Sequence, residues 1–191
     1  MLEWLRLQRE LLFVILRLNM KIIVGLGNPG SEYAQTRHNA GFLWLDEVQK
    51  RLDSSAWQAQ KKFKAEISKH PAYLLVKPQT FMNLSGQAVR AVVSFYQLNP
   101  ATDLWVAFDD LDLAVGTSKI QLGRGPHAHN GLESIYQELG TKDFTHLRIG
   151  IDGRAGLRAQ AGKDYVLGKF TPTEKELLQQ CFFELMNKIA K

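Results

Sequence analysis

Short apolar runs and stretches of helical period alternate along most of this chain. The first such run, Ile22-Ile23-Val24, is β-branched and reads as a buried strand. It breaks at Gly25-Leu26-Gly27-Asn28-Pro29-Gly30, a turn, because Pro29 has no N–H and fixes its own φ. A polar arm, residues 31–37, leads to His38-Asn39, after which Phe42, Leu45, Val48 and Leu52 share one face of a helix. Residues 61–67 alternate apolar and polar as a half-exposed strand does. Past His70-Pro71, residues 72–76 form a more buried strand, antiparallel to it. Ser85 is placed to cap a helix whose core face holds Val89, Val92, Val93 and Tyr96, and Asn99-Pro100 stops it.

The second half repeats the scheme. Residues 104–108 are a buried strand with Asp109-Asp110-Leu111-Asp112 beyond its end, and residues 117–122 are a further strand. A glycine-containing loop, residues 123–129, precedes a helix that Asn130 caps, with Glu133 completing a capping-box pattern and Gly140 ending the helix. Residues 146–151 form a strand carrying Arg148, and residues 152–162 a basic loop with Arg154 and Arg158. The last helix starts at Thr171, Pro172 and Glu174, a cap, a first-turn proline and a box partner. Strands alternating with helices predict a single-domain α/β fold: a mixed, largely parallel twisted sheet with helices on both faces and an antiparallel hairpin at one side. Ligands of such sheets bind beyond the carboxyl ends of the strands. Asn28, Met82-Asn83 and Asp109 each follow a strand, so amides and a carboxylate converge on one edge.

Residues 1–19 read as an extension outside this fold, with residues 20–191 as the folded domain. The apolar run at residues 11–16 is too short to span a bilayer, and Glu3 and Glu10 argue against a targeting peptide. An upstream start codon, a loosely attached helix or a surface amphipathic anchor all fit this segment. The formal charge of +5 leaves room for an anionic partner without demanding one. The single cysteine, Cys181, excludes an internal disulfide, fits a reducing cytoplasm and lies in an apolar helical stretch as a small hydrophobe does.

His38 stands next to the converging edge, at a helix start. A neutral imidazole can take a proton from water near neutral pH, and a carboxylate on its other nitrogen would fix the tautomer; Asp109 is the natural partner. A loop-satisfying role for His38 is the simpler alternative. Asn28, Asn83 and Asn130 are neutral two-ended hydrogen-bonders suited to holding a carbonyl or a water, although turn and cap chemistry uses the same residues. His127 and His129 with the 109–112 acids form a weak metal pattern. Residues 25–30 match the dinucleotide fingerprint G-x-G-x-x-G, but Pro29 removes a donor, a polar arm precedes any helix, and Asp53 follows a helix rather than a second strand.

Five segments, Val24–Gly30, Thr36–Gly41, Phe81–Gly86, Asp109–Asp112 and His129–Leu132, together resemble the bacterial-type peptidyl-tRNA hydrolases in order and spacing over most of residues 20–170. The resemblance implies a monomeric, cytoplasmic, metal- and cofactor-free esterase that cleaves peptide from the tRNA 3′ ribose and returns the tRNA to translation. It implies no membrane partner. On it, His38 is the catalytic base, Asp109 its orienting partner, and Asn28 and Asn83 the amides that position the carbonyl and the water. Met82 and Tyr33 line the cleft, Asn130 positions tRNA or water, and Arg148 meets phosphate. Where the family commonly places a lysine for the tRNA 5′ phosphate, this chain has Gln121, leaving Lys119 and Arg124 as substitutes. The loop before His129 is bulkier than is usual in the family, and the C-terminal helical region is shorter. A catalytically weak RNA-binding protein on the same fold is the alternative.

Overall fold

The computed structural model describes residues 20–126, 128–154 and 162–189. One seven-stranded sheet has the order β2-β3-β4-β1-β5-β7-β6. Its centre is β1 (Lys21–Gly25), parallel to β4 (Tyr73–Pro78) on one side and β5 (Leu104–Ala114) on the other. β7 (Thr145–Asp152) continues the parallel set beyond β5. Antiparallel strands close both edges rather than one: β2 (Gln58–Gln60) and β3 (Ala65–Lys69) beside β4, and β6 (Ser118–Leu122) beside β7.

Two apolar layers cover the sheet, as its runs of consecutive buried residues require. On one face, α1 (Ala40–Arg51), α5 (Gly162–Leu167) and α6 (Pro172–Ile189) pack Trp44, Leu45, Tyr165 and Leu185 against Ile23, Ala107 and Ile149. On the other, α2 (Ser85–Tyr96) and α4 (Asn130–Leu139) pack Val89, Val92 and Ile135 against Ile22, Val24 and Phe108. The short α3 (Pro100–Asp103) is capped by Asn99. The capping box at α6 forms as expected, Thr171 N–H donating to Glu174 (2.7 Å) and Glu174 N–H to the Thr171 hydroxyl (3.3 Å).

Local expectations fail in several places, because tertiary packing outweighs local pattern. The strand expected over 61–67 is a 3₁₀ turn (Lys61–Phe63) followed by Lys64 at φ 50°, and strand resumes at Ala65, because Phe63 turns into the core beside Phe95 and Tyr96. Ser85 does not cap α2; its hydroxyl is buried inside the helix start, and Leu84 occupies the cap position. β5 runs six residues past Phe108, so Asp109 lies within the strand, paired with Ile149 of β7, and not beyond its end. Arg158 and residues 1–19 lie outside the described residues.

Close backbone approach sets the position of α1. A Cβ on Gly25 would lie 2.4 Å from the Gly41 carbonyl oxygen, and one on Gly41 would lie 2.4 Å from that of Ala107. Glycine at both positions lets the start of α1, and the turn before it, press onto the ends of β1 and β5.

His146 is fully buried, stacked on Phe144 (centroids 4.4 Å apart), with the Tyr136 hydroxyl 3.0 Å from its Nε2. Burial first, and the nearby Arg148 charge, push its pKa down to about 4, against some support from backbone groups. The unfolded chain, with an ordinary histidine pKa of 6.5, therefore binds the proton more readily than the folded one. This residue's contribution is complete above the ordinary pKa and is lost as pH falls toward about 4. Urea midpoints should drop more steeply over that window for wild type than for His146→Phe; parallel curves would contradict this assignment.

Candidate active site

The site is assembled by the turns at the carboxyl ends of β1 and β4, the 3₁₀ turn before α1 and a residue within β5. After β1, the Leu26 N–H donates to the Ala107 carbonyl (2.8 Å), so the chain stays against β5 until the asparagine turn. Asn28 is buried, and its side-chain oxygen accepts the Met82 N–H at 2.7 Å, tying this turn to the one after β4. Asn39 holds the same residue by the backbone: its Oδ1 accepts the Asn28 N–H and its Nδ2 donates to the Asn28 carbonyl, both at 2.9 Å. Two buried amides thus connect the post-β1 turn, the post-β4 turn and the 3₁₀ turn Arg37–Asn39 that carries His38.

His38 Nδ1 lies 2.9 and 3.1 Å from the two oxygens of Asp109, whose side chain is 3% exposed. A second histidine meets the same carboxylate, with His129 Nε2 3.0 Å from Oδ1. The His129 protonation pattern follows from its other nitrogen. Nδ1 accepts the N–H groups of Gly131 (3.2 Å) and Leu132 (3.3 Å) as the N-cap of α4, so it carries no proton and Nε2 must be the donor. Asp109 thereby takes a hydrogen bond from each ring, and His38 donates through Nδ1 and keeps an unprotonated Nε2.

The electrostatics agree. Burial alone would raise the Asp109 pKa, but the two imidazoles outweigh it and hold the group well below the usual carboxylate range. Burial alone would lower that of His38, but the charge and hydrogen bond of Asp109 raise it above 6.5. His38, Asp109 and His129 present donor atoms within 4.8 Å of one another, a grouping that resembles a metal triad. Metal ligation by His129 would require Nε2 to lose its proton, and Nδ1 is already committed to the helix cap, so these residues suit a hydrogen-bonded chain better than a cation.

The family model described as Peptidyl-tRNA hydrolase matches residues 22–191. The chain belongs to the peptidyl-tRNA hydrolase family. It is 40% identical over 171 residues to the peptidyl-tRNA hydrolase of Mycoplasmopsis agalactiae, covering 90% of this chain and 86% of that one. It is 43% identical over 173 residues to that of Chloroflexus aurantiacus, covering 90% and 89%. Among solved structures, the peptidyl-tRNA hydrolase of Acinetobacter baumannii superposes with a TM-score of 0.80 at 36% identity, over 90% of this chain and 87% of that one.

Measured against the residues that the family resemblance singles out, the structure brings Asn28, His38, Met82 and Asp109 into one connected cluster. Asn83 is exposed one residue beyond buried Met82, in the 3₁₀ turn Met82–Leu84. Tyr33 is half-buried in the arm, its carbonyl accepting from the Thr36 N–H and hydroxyl. Asn130 does not cap α4; His129 does, because its ring reaches both the helix N–H groups and Asp109, and Asn130 is the exposed first residue of the helix. Lys119 and Arg124 are exposed. Arg148 stands opposite Lys119 across the β6–β7 ladder, but its Nε donates to Asp110 and its Nη1 to Gln121, each at 2.6 Å, and its side chain is only 12% exposed. His127 lies outside the described residues.

Sequence reasoning missed Asn39, and it saw in His129 only a weak metal ligand. The signal for His129 was its place immediately before a helix, where a ring nitrogen can cap. Because Asn39 satisfies both backbone groups of buried Asn28, Asn39→Ala should cost about 1–3 kcal/mol in unfolding free energy. A denaturation curve superimposable on wild type would contradict the clamp.

Proposed function

We propose that this peptidyl-tRNA hydrolase cleaves the ester between peptide and tRNA with a water molecule that His38 deprotonates through Nε2. The His38 Nδ1–H bond to Asp109 orients the ring and stabilises the imidazolium that forms. As hydroxide adds to the ester carbonyl, charge develops on its oxygen. Asn28 is suited to that charge, since its Oδ1 is occupied by the Met82 N–H, leaving Nδ2 as the donor end. Asn83, exposed beside it, can hold the incoming water or the peptide carbonyl. When the tetrahedral adduct collapses, His38 returns its proton to the departing ribose oxygen, and free peptide and tRNA result. An ester is reactive enough that no covalent nucleophile is needed.

The observation that carries this reading is the pair of imidazoles on one buried carboxylate, with His129 locked by its cap and only His38 able to exchange protons at Nε2. His129 also tempers the base, because its hydrogen bond makes Asp109 less basic. Met82 and Tyr33 form walls of the cleft for the 3′ end. For the tRNA body, we assign phosphate contacts to Lys119 and Arg124, which are exposed. Arg148 already gives its Nε to Asp110 and one Nη1 hydrogen to Gln121, so its contact to phosphate is secondary. Asn130, exposed at the start of α4, is placed to meet RNA or solvent. The intact His38–Asp109 pair supports turnover over a binding-only role. We assign the enzyme to the cytoplasm as a monomer needing no cofactor; no helix of the described residues is long and apolar enough to cross a membrane.

Steady-state cleavage of peptidyl-tRNA tests the scheme. His38→Ala should lose roughly 10²–10⁴ of kcat while tRNA binding is little changed. For wild type, kcat/KM should rise with pH along a unit-slope limb whose midpoint lies above 6.5, since only neutral His38 accepts the proton. Turnover retained by His38→Ala, or a pH-independent rate, would contradict it.

A further inference from the structure

The residue preceding His38 is an arginine buried among the helices on the α1 face, which the chemistry above leaves unused. Arg37 is 8% exposed. Its Nη2 donates to both oxygens of Glu174, at 2.8 and 3.1 Å, and its Nη1 to the Tyr165 carbonyl at 3.4 Å. The guanidinium lies 4.1 Å from the Tyr165 ring centroid and 5.5 Å from that of Phe170. The backbone is held too: Arg37 N–H donates to the Gly168 carbonyl at 2.9 Å, and Thr36 pairs with Lys169 in an isolated antiparallel bridge.

Glu174 is itself fixed from several sides. Its Oε2 accepts the Thr171 N–H (2.7 Å) in the capping box of α6, and its Oε1 lies 3.3 Å from the Tyr165 hydroxyl, whose single proton it shares with the Ile151 carbonyl at 3.0 Å. The pair has no room around it. A Cβ on Gly153 would lie 2.4 Å from Glu174 Oε1, and one on Gly168 would lie 2.8 Å from Arg37 Nη1.

We propose that the Arg37–Glu174 ion pair is a positioning device for His38, anchoring the turn that carries the base to the start of α6. As a stability device the pair is a poor choice. Desolvating two charges offsets most of their attraction, apolar replacements are often neutral, and Arg37 Nε is buried without a partner. What the set of contacts supplies is direction: Nη2 spans the Glu174 carboxylate, Nη1 reaches the Tyr165 carbonyl and the guanidinium face rests on the Tyr165 ring, which together allow one orientation. His38 and Arg37 share one 3₁₀ turn, so rotation of that turn would move Nδ1 off Asp109. Asp109 sets the ring from the β5 side, and Glu174 sets its backbone from α6.

The inference rests on His38 being the base, and the experiment separates the two. Glu174→Gln and the milder Tyr165→Phe, which keeps the ring under the guanidinium, would be assayed as full chains beside His38→Ala, below their own melting temperatures. Glu174→Gln should lower kcat by about 10- to 100-fold with KM unchanged, and Tyr165→Phe should do so by less. The acid limb of kcat/KM should move down toward the ordinary histidine pKa as the contact with Asp109 loosens. A loss of folded protein alone would scale the rate and leave the limb in place, and that result would overturn the proposal. So would a wild-type kcat and limb in both variants. Full turnover by His38→Ala would instead remove the reading beneath it.

Discussion

A carboxylate buried inside a parallel strand is the constraint on which this structure depends. Asp109 is 3% exposed and sits in β5, paired with Ile149 of β7. A charge in that position is tolerated only if it is hydrogen-bonded by groups that prefer it ionised. Among the described residues, two imidazoles and no ammonium or guanidinium hydrogen-bond Asp109. An Arg or Lys would neutralise Asp109 permanently, whereas a histidine leaves the second ring nitrogen of its own available for chemistry. The neighbouring Asp110, fully buried, shows the contrast: it is paired with the guanidinium of Arg148.

Alternation along β5 separates these two acids. Successive residues of a strand face opposite sides of the sheet, so Asp109 shares the α1 side with Ala107, and Asp110 shares the α4 side with Phe108. His38 arrives on the α1 side because glycines at 25 and 41 let that helix start touch the sheet. His129 arrives by capping α4. The same sheet order puts Arg148 and Lys119 two and three strands away from β1, on one flank.

Much of this was legible in the chain. The apolar runs located the central strands, and the Thr171-Pro172-Glu174 signal located the last helix, because both depend on local physics. The convergence of Asn28, Met82 and Asp109 followed from strand ends in a parallel sheet, even though Asp109 turned out to lie within β5. What was not legible depended on long-range partners. Ser85 looked like a cap but is buried, and Asn130 looked like a cap but yields to His129, whose ring also answers Asp109. The engagement of Arg148 by Asp110 and Gln121 carried no local signal, because these partners are distant in sequence, at 38 and 27 residues. Asn39, which closes on the backbone of Asn28, carried no pattern of its own.

The tautomer of His38 is the most direct test of the account. Nitrogen-15 NMR of the histidine rings across pH should show neutral His38 protonated on Nδ1, with a pKa above 6.5 that falls in Asp109→Asn. A neutral ring protonated on Nε2, or a pKa indifferent to residue 109, would contradict it.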